Sequence, residues 1–326
     1  MSNFDYDLLV IGGGSGGVRA ARMAAAKGIR VGIIEDRYWG GTCVNVGCVP
    51  KKLYYYASHF TENFHDASGF GWQVGETSFN WNTLKDNRRT EISRLNGIYI
   101  NLLQNAGVEI LNGRGVMVDA NTVSIGDKQY SAEKVLVTVG GWPYIPEFTG
   151  SDLAISSNEV FDMPELPKKM VVVGGGYIAV EFACIFAGLG VDVHLVYRGT
   201  QILKQVDADI AEFILAELHH KNIKVSLNTT VNEITSSGSR KHISLSDGEA
   251  YDVDQVLYAT GRKPAFEGLG LLELGVNLDN SGKLVVDEWF QTNVPSVFAL
   301  GDITAGPELT PVALAEGMSF VRHWYE

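Results

Sequence analysis

Cys43 and Cys48 are the residues whose type and spacing most readily do chemistry. Four residues separate them, Val44-Asn-Val-Gly47. This is neither the CxxC spacing of a zinc site nor that of a thioredoxin motif, and no second pair of ligands completes a tetrahedral centre, so no metal is expected. A disulfide across so short a segment is sterically possible where the chain coils helically and brings both side chains to one face. Two buried thiols remain the alternative on the cysteines alone. Gly40-Gly41 ahead of the pair permits close approach to a flat cofactor, and Pro50 restricts the backbone just after it. The chain has 3 cysteines in 326 residues, too few for a disulfide framework. Cys184, the third, reads as an ordinary buried thiol.

Two segments look built to position such chemistry. Tyr6–Ile11 is a short apolar run, followed by Gly12-Gly-Gly-Ser-Gly-Gly17, an Ala-rich helical stretch to about Lys27, and a strand Arg30–Ile34 that ends at Glu35. Downstream, Met170–Val173 leads into Gly174-Gly-Gly-Tyr-Ile-Ala179, a helical stretch to about Leu189 and a strand Asp192–Val196. Each reads as a β-turn-α-β unit in which Gly12, Gly14, Ser15, Gly16 and Gly17, or Gly174, Gly175, Gly176 and Ile178, bring backbone N–H groups to a pyrophosphate. The expected fold is α/β: two Rossmann-like dinucleotide-binding domains of the FAD/NAD(P)-binding type, with parallel sheets and β-meander insertions. Glu35 can accept bonds from a ribose diol, which suits FAD or NAD at the first turn. The matching strand end in the second unit is Tyr197-Arg198, where Arg198, with Lys204, can neutralise a 2′-phosphate, which suits NADPH.

The connecting chain parses too. Trp81–Ala106 reads as one long polar-faced helix with Leu84, Ile92, Leu95, Ile98, Ile100 and Leu103 as apolar contacts. Val116–Val137 reads as short strands, Val135–Gly141 as a buried strand that Trp142-Pro143 breaks into a linker, and Val225–Leu257 as hairpins with turns at Ser236–Ser239 and Asp247-Gly248. A formal net charge of -12 argues against nucleic acid or an anionic membrane as partner. No run approaches the roughly 18–20 apolar residues of a membrane span. The acidic N-terminus, Met1-Ser-Asn-Phe-Asp-Tyr-Asp7, leads straight into a strand and does not read as a signal peptide. The expected compartment is the cytoplasm.

The segment Gly40-Gly-Thr-Cys-Val-Asn-Val-Gly-Cys-Val-Pro-Lys-Lys52 resembles the redox-disulfide segment of class I pyridine nucleotide-disulfide oxidoreductases. Gly174-Gly-Gly-Tyr-Ile-Ala-Val-Glu181, Ala259-Thr-Gly-Arg-Lys-Pro264, Gly301-Asp302 and Leu309-Thr-Pro-Val312 extend the likeness over essentially the whole chain. The resemblance implies FAD on the first turn, with Glu35 on its ribose, Gly115 at its adenine, and Thr42, Cys43, Lys51, Thr138, Asp302 and Thr310 as further contacts. It implies NADPH on the second, with Glu181, Arg198, Lys204 and Gly261 among its contacts and Tyr177 covering the nicotinamide pocket. Lys51 and Glu181 match an ion pair beside flavin and nicotinamide. By the same likeness Cys48 is the thiolate facing the flavin, and Cys43 is the outer thiol that attacks the substrate.

The likeness also favours glutathione disulfide as substrate, with Ser15, Arg22 and Tyr99 as its contacts and Arg19 as a second cation nearby. Arg19 and Arg22 would repel the cationic substrate of a trypanothione reductase, and a dihydrolipoamide dehydrogenase would carry an acid at Arg198. An NADPH-dependent diaphorase or electron-transfer flavoprotein is the other alternative. The implied domains are residues 1–142 for FAD, 143–264 for NADPH, and 265–326 returning to the first. Lys204 departs from the usual arginine. Relatives also continue into a C-terminal interface domain that forms a homodimer and supplies an acid/base histidine, so that domain is expected to be absent from a chain ending at Glu326. His59, His65, His194, His219, His220, His242 and His323 read as surface or packing residues rather than its replacement.

Overall fold

The run Tyr-Asp-Leu-Leu-Val-Ile forms strand β1 (Tyr6–Ile11), buried along nearly its whole length as a central parallel strand must be. The structure is a computed structural model that describes residues 4–326; the first three residues of the acidic N-terminal stretch lie outside it. In chain order there follow α1 (Ser15–Ala25), β2 (Val31–Glu35), α2 (Gly41–Asn45), α3 (Cys48–Asp66), α4 (Trp81–Asn105), β3 (Glu109–Asn112), β4 (Gly115–Met117), β5 (Thr122–Ile125), β6 (Lys128–Val137) and β7 (Gly141–Pro143). Then come β8 (Ile155–Ser156), β9 (Lys169–Val173), α5 (Tyr177–Gly188), β10 (Asp192–Val196), α6 (Ala208–His220), β11 (Lys224–Ser226), β12 (Val231–Ser237), β13 (Arg240–Leu245) and β14 (Ala250–Val253). The last elements are β15 (Gln255–Tyr258), β16 (Arg262–Pro264), β17 (Val297–Ala299) and α7 (Thr310–Tyr325).

The chain divides into two compact units. One takes the chain through Asn45, Glu91–Trp142 and Lys263–Glu326; the other takes Val46–Thr90 and Pro143–Arg262. In the first, β3-β2-β1-β6-β17 run parallel, and β6 continues antiparallel into the meander with β5 and β4. In the second, β11-β10-β9-β15-β8 run parallel, the first four in the same relative order while the edge strand β8 precedes β9 in the chain, and β12-β13-β14 form a separate meander. The repeated sequence unit is therefore a repeated topology. Each sheet has its switch point beside the strand that precedes a glycine turn, between β1 and β6 and between β9 and β15. Ligands bind at the carboxyl ends of strands at such points.

Two layers of side chains bury each sheet. Val18, Ala20, Ala21 and Ala24 of α1 pack with Phe298, Phe320 and Val321 on one face of the first sheet, and Phe266, Leu269, Leu271 and Val276 cover the other. The small residues of α1 have a reason: a Cβ on Gly317 of α7 would stand 2.9 Å from the Gly16 carbonyl oxygen. In the second unit Tyr54, Trp81, Phe161, Phe182 and Phe186 form an aromatic core, and Ile234, Ile243, Leu245 and Val253 carry the meander onto the opposite face. Each such buried ring contributes roughly 2–3 kcal/mol.

Three local expectations are corrected. Trp142-Pro143 is not a linker: Gly141–Pro143 pairs with Arg262–Pro264 as a two-stranded ladder, and Pro143 stands at its end, where the missing N–H matters least. On α4, Ile92 and Leu103 are buried but Ile98 is exposed. Lys85 and Arg88, on the face read as polar, are buried: Lys85 Nζ donates to the Met163 and Pro164 carbonyls, and Arg88 Nη2 to the Phe161 carbonyl at 2.6 Å and Asp162 at 2.7 Å. Tyr54 and Trp81 donate to the carbonyls of Phe161 and Met163. Charged stems thus serve as core because loop carbonyls there need donors.

Among the described residues His194 is the one buried histidine, with Nε2 2.9 Å from Ser226 Oγ and Nδ1 bonded to the Tyr251 hydroxyl. Burial, with Lys224 nearby, lowers its pKa from 6.5 to about 4. The unfolded chain therefore binds a proton that the folded one refuses. Stability linked to His194 is complete above about pH 6.5 and falls as pH drops toward 4, by up to about 3 kcal/mol. Urea unfolding of His194→Gln is expected to lose this part of the pH dependence; an unchanged slope between those pH values would refute the assignment.

Candidate active site

Gly12 has φ +112°, and a Cβ there would sit 2.6 Å from the Thr138 carbonyl oxygen; Gly174 has φ +142°, with the Ala259 carbonyl oxygen 2.4 Å from the same position. Both turns therefore press against the end of the neighbouring strand at the switch point, where only glycine fits. The middle glycines lie on aromatic rings whose role the sequence does not reveal. A Cβ on Gly13 would meet Trp39 at 2.8 Å, and one on Gly175 would meet Tyr197 at 2.5 Å. Helices α1 and α5 have Gly14 and Gly176 at their N-caps, with no side-chain cap and no acid in either first turn. Their first N–H groups are left to an external anion, so both turns fit a dinucleotide pyrophosphate.

Around the first turn, Glu35 accepts from Gly13 N at 2.7 Å and from Arg37 N and Tyr38 N at 2.8 and 3.2 Å. Its carboxylate is held at the strand end, with lone pairs to spare for a ribose diol. The Thr138 hydroxyl donates to the Gly12 carbonyl at 2.8 Å and so braces the turn. Gly115 is buried in β4, where a Cβ would crowd Ile34. Gly301 N donates to Glu316 of α7 at 2.7 Å, which fixes the Gly301-Asp302 corner; burial, with Asp302 adding to it, pushes the Glu316 carboxyl up. Thr310 is the first residue of α7.

The cysteine segment is stapled to this turn. Gly40 N donates to Gly13 O at 2.9 Å, and a Cβ on Gly41 would lie 2.6 Å from the Gly14 Cα. The close approach expected of Gly40-Gly41 is thus made to the glycine turn itself. Thr42 and Cys43 lie on α2, and Cys48 opens α3. Buried Asn45, between the cysteines, donates to the Trp39 and Gly41 carbonyls, while Asn96 donates to Trp39 O and Asn45 Oδ1. The turn of α4 that carries Asn96 also carries Tyr99. Burial, with the Cys43 sulfur nearby, raises the pKa of the Tyr99 phenol. Ser15, Arg19 and Arg22 lie on α1, and among the described residues neither arginine forms an ion pair.

At the second turn, Lys51 of α3 is ion-paired with Glu181 of α5. The Lys51 ammonium also lies 5.2 Å from the centroid of the Tyr177 ring and 5.9 Å from that of Phe182. The structure thus brings together Lys51, Tyr177 and Glu181, and adds Phe182, which reads in the sequence only as a helix apolar residue. Tyr177 is 53% exposed, so its ring has room to swing toward solvent. Ile178 packs into the core beneath the turn, and Gly261, with φ +135°, has open space at its Cβ. Arg198 follows the end of β10 and Lys204 stands in the loop beyond; among the described residues neither is ion-paired. Cys184 on α5 is partly buried, and burial pushes its thiol up to about 11, which leaves it unreactive. No group of three or more potential metal ligands occurs among the described residues, and no helix is long and apolar enough to cross a membrane.

The sequence model of the pyridine nucleotide-disulphide oxidoreductase family matches residues 6–317. The chain belongs to this family. Among family members, a glutathione reductase of Burkholderia cepacia is 44% identical over 320 residues, which are 98% of this chain and 71% of that protein. A glutathione reductase of Nostoc sp. is 43% identical over 329 residues, 97% of this chain and 72% of the relative. A chloroplastic/mitochondrial glutathione reductase of Pisum sativum is 41% identical, over 99% of this chain and 61% of the relative.

Proposed function

We propose that the protein is a flavoprotein disulfide reductase that takes electrons from NADPH and delivers them, through FAD and a Cys43-Cys48 disulfide, to glutathione disulfide. The observation that carries this reading is the pairing of Lys51 with Glu181 beneath Tyr177 at the second turn, on the same helix that Cys48 opens. A passive dinucleotide sensor has no use for that arrangement. Similarity to proteins named glutathione reductase supports the choice of substrate.

FAD supplies, when bound at the first turn, a two-electron relay between NADPH and the cysteines. Glu35 holds the ribose, and the N–H groups at the start of α1 hold the pyrophosphate. Arg198 and Lys204 bind the 2′-phosphate of NADPH, and Tyr177 moves aside as the nicotinamide enters. Lys51, fixed by Glu181, keeps a positive charge where negative charge accumulates. Two electrons and one proton convert the disulfide to a Cys43 thiol and a Cys48 thiolate. Once deprotonated, Cys43 attacks one sulfur of glutathione disulfide, forming a mixed disulfide and releasing one glutathione thiolate. Cys48 then attacks the Cys43 sulfur, which re-forms the internal disulfide and releases the second. Arg22, Ser15 and Tyr99 orient the substrate, with Arg22 matched to a carboxylate.

Anaerobic titration with NADPH tests the relay. A long-wavelength charge-transfer band is expected as a thiolate forms beside oxidised flavin, and a protein that bleaches without it would refute the role of Cys48. We further propose a cytoplasmic protein that is a homodimer wherever the interface domain of its relatives is joined to it. Tyr56, Phe60 and Phe64 form an exposed aromatic row on α3, a face that a second copy would then cover. A monomeric mass by light scattering of the protein carrying that domain would sink the proposal.

A further inference from the structure

The loop after β2 touches β7, the short strand that follows β6. β1 lies between β2 and β6, so the contact spans about 10 Å of sheet edge. Arg37 places its guanidinium carbon 3.7 Å from the centroid of the Trp142 ring. Both segments are pinned at their roots. Arg37 N donates to Glu35, whose other oxygen accepts from Gly13; Thr138 N donates to Ile11 O at 2.7 Å, and its hydroxyl to Gly12 O. The two side chains, by contrast, are open to solvent: the Arg37 side chain is 42% exposed and Trp142 37%. So exposed a stack adds little to the core.

A guanidinium stacked by its face keeps its N–H edge available for an anion. Its ion-pair partner, Asp36, is 4.0 Å away and is shared with Arg114 at 3.5 Å. In a chain of net charge -12, a dianionic pyrophosphate needs local cations, and Arg37 stands two residues beyond the carboxylate proposed for the ribose.

We propose that Arg37 and Trp142 form a clasp across the carboxyl edge of the first sheet that closes over the bound dinucleotide and slows its release. The proposal rests on FAD occupying the first turn. Its test is the rate at which flavin leaves the holoprotein, followed by the rise in free-flavin fluorescence after dilution into excess competing adenosine diphosphate. Arg37→Ala and Trp142→Ala are each expected to speed release about fivefold, and the double variant no more than either alone, because one stack is lost in all three. Trp142→Phe should fall between. Release within twofold of the parent rate in Arg37→Ala, or multiplicative effects in the double variant, would overturn the clasp. Equal melting temperatures of the apoproteins would separate loss of the clasp from loss of fold. A parent protein that binds no flavin would overturn the FAD assignment itself, whereas tight flavin with indifferent variants defeats the clasp alone.

Discussion

Replacing Cys43 with serine is expected to lower reduction of glutathione disulfide by on the order of a thousandfold or more, while NADPH still reduces the flavin. The division arises from the proposed roles. Cys43 is the sulfur that bonds to substrate, and a serine hydroxyl neither ionises near neutral pH nor exchanges with a disulfide. Cys48→Ser should fail in the same assay for a different reason, because no sulfur of a disulfide then adjoins the flavin to take the electron pair, and nothing resolves a mixed disulfide on Cys43. The two variants differ before NADPH is added: Cys43→Ser, with the Cys48 thiolate beside oxidised flavin, shows the charge-transfer band from the start and loses it as NADPH reduces the flavin, whereas Cys48→Ser shows no band at any stage. Dye reduction, which bypasses both sulfurs, should survive in each. A Cys43→Ser protein that kept more than about a tenth of the parent turnover would mean that electrons reach substrate by another route.

How much of this could be read from the chain depends on the range of the interaction concerned. β1 and β10 have the bounds read from the sequence, because both are largely buried apolar runs, interrupted only by Asp7 in β1 and by Asp192 and His194 in β10. The two β-turn-α-β units were also legible, since each glycine turn falls between an apolar strand run and a helical stretch. Trp39 beneath Gly13 and Tyr197 beneath Gly175 were not, because each contact joins residues from different loops, and an aromatic at a strand end carries no mark of where its ring will turn. Lys85 and Arg88 were hidden for the same reason. Helical periodicity assigns charge to solvent, and only the fold reveals the carbonyls of Phe161, Met163 and Pro164 that draw them inward. Asn45, lying between the cysteines, looked like spacer until Asn96 and the Trp39 carbonyl stood beside it. The chemistry itself, in Cys43, Cys48, Lys51 and Glu181, was visible as residue types and motif; the ion pair of Lys51 with Glu181, expected from the family resemblance, is made where α3 packs on α5.

Reversing the charge at Arg198 is the second large effect. Arg198→Glu is expected to raise the KM for NADPH by on the order of 10- to 100-fold, because a charge-assisted bond is lost and repulsion replaces it. NADH, with no 2′-phosphate, should be used equally well or better, since the new carboxylate can accept from its ribose diol as Glu35 does at the first turn. Arg198 lies just past the end of β10 and among the described residues has no ion-pair partner, so its removal leaves no buried charge behind and the fold should be indifferent. The loop that bears Lys204 is fixed against the second turn by the Leu203 N–H, which donates to Gly175 O at 2.6 Å. Lys204 therefore enters the site as a point charge on a positioned loop, and Lys204→Arg should lower the KM for NADPH by adding a planar fork. Both effects should shrink as ionic strength rises, because the site is open to water and its charges are screened. Should Arg198→Glu leave the NADPH to NADH preference unchanged, the 2′-phosphate lies elsewhere, and the assignment of NADPH to the second glycine turn falls with it.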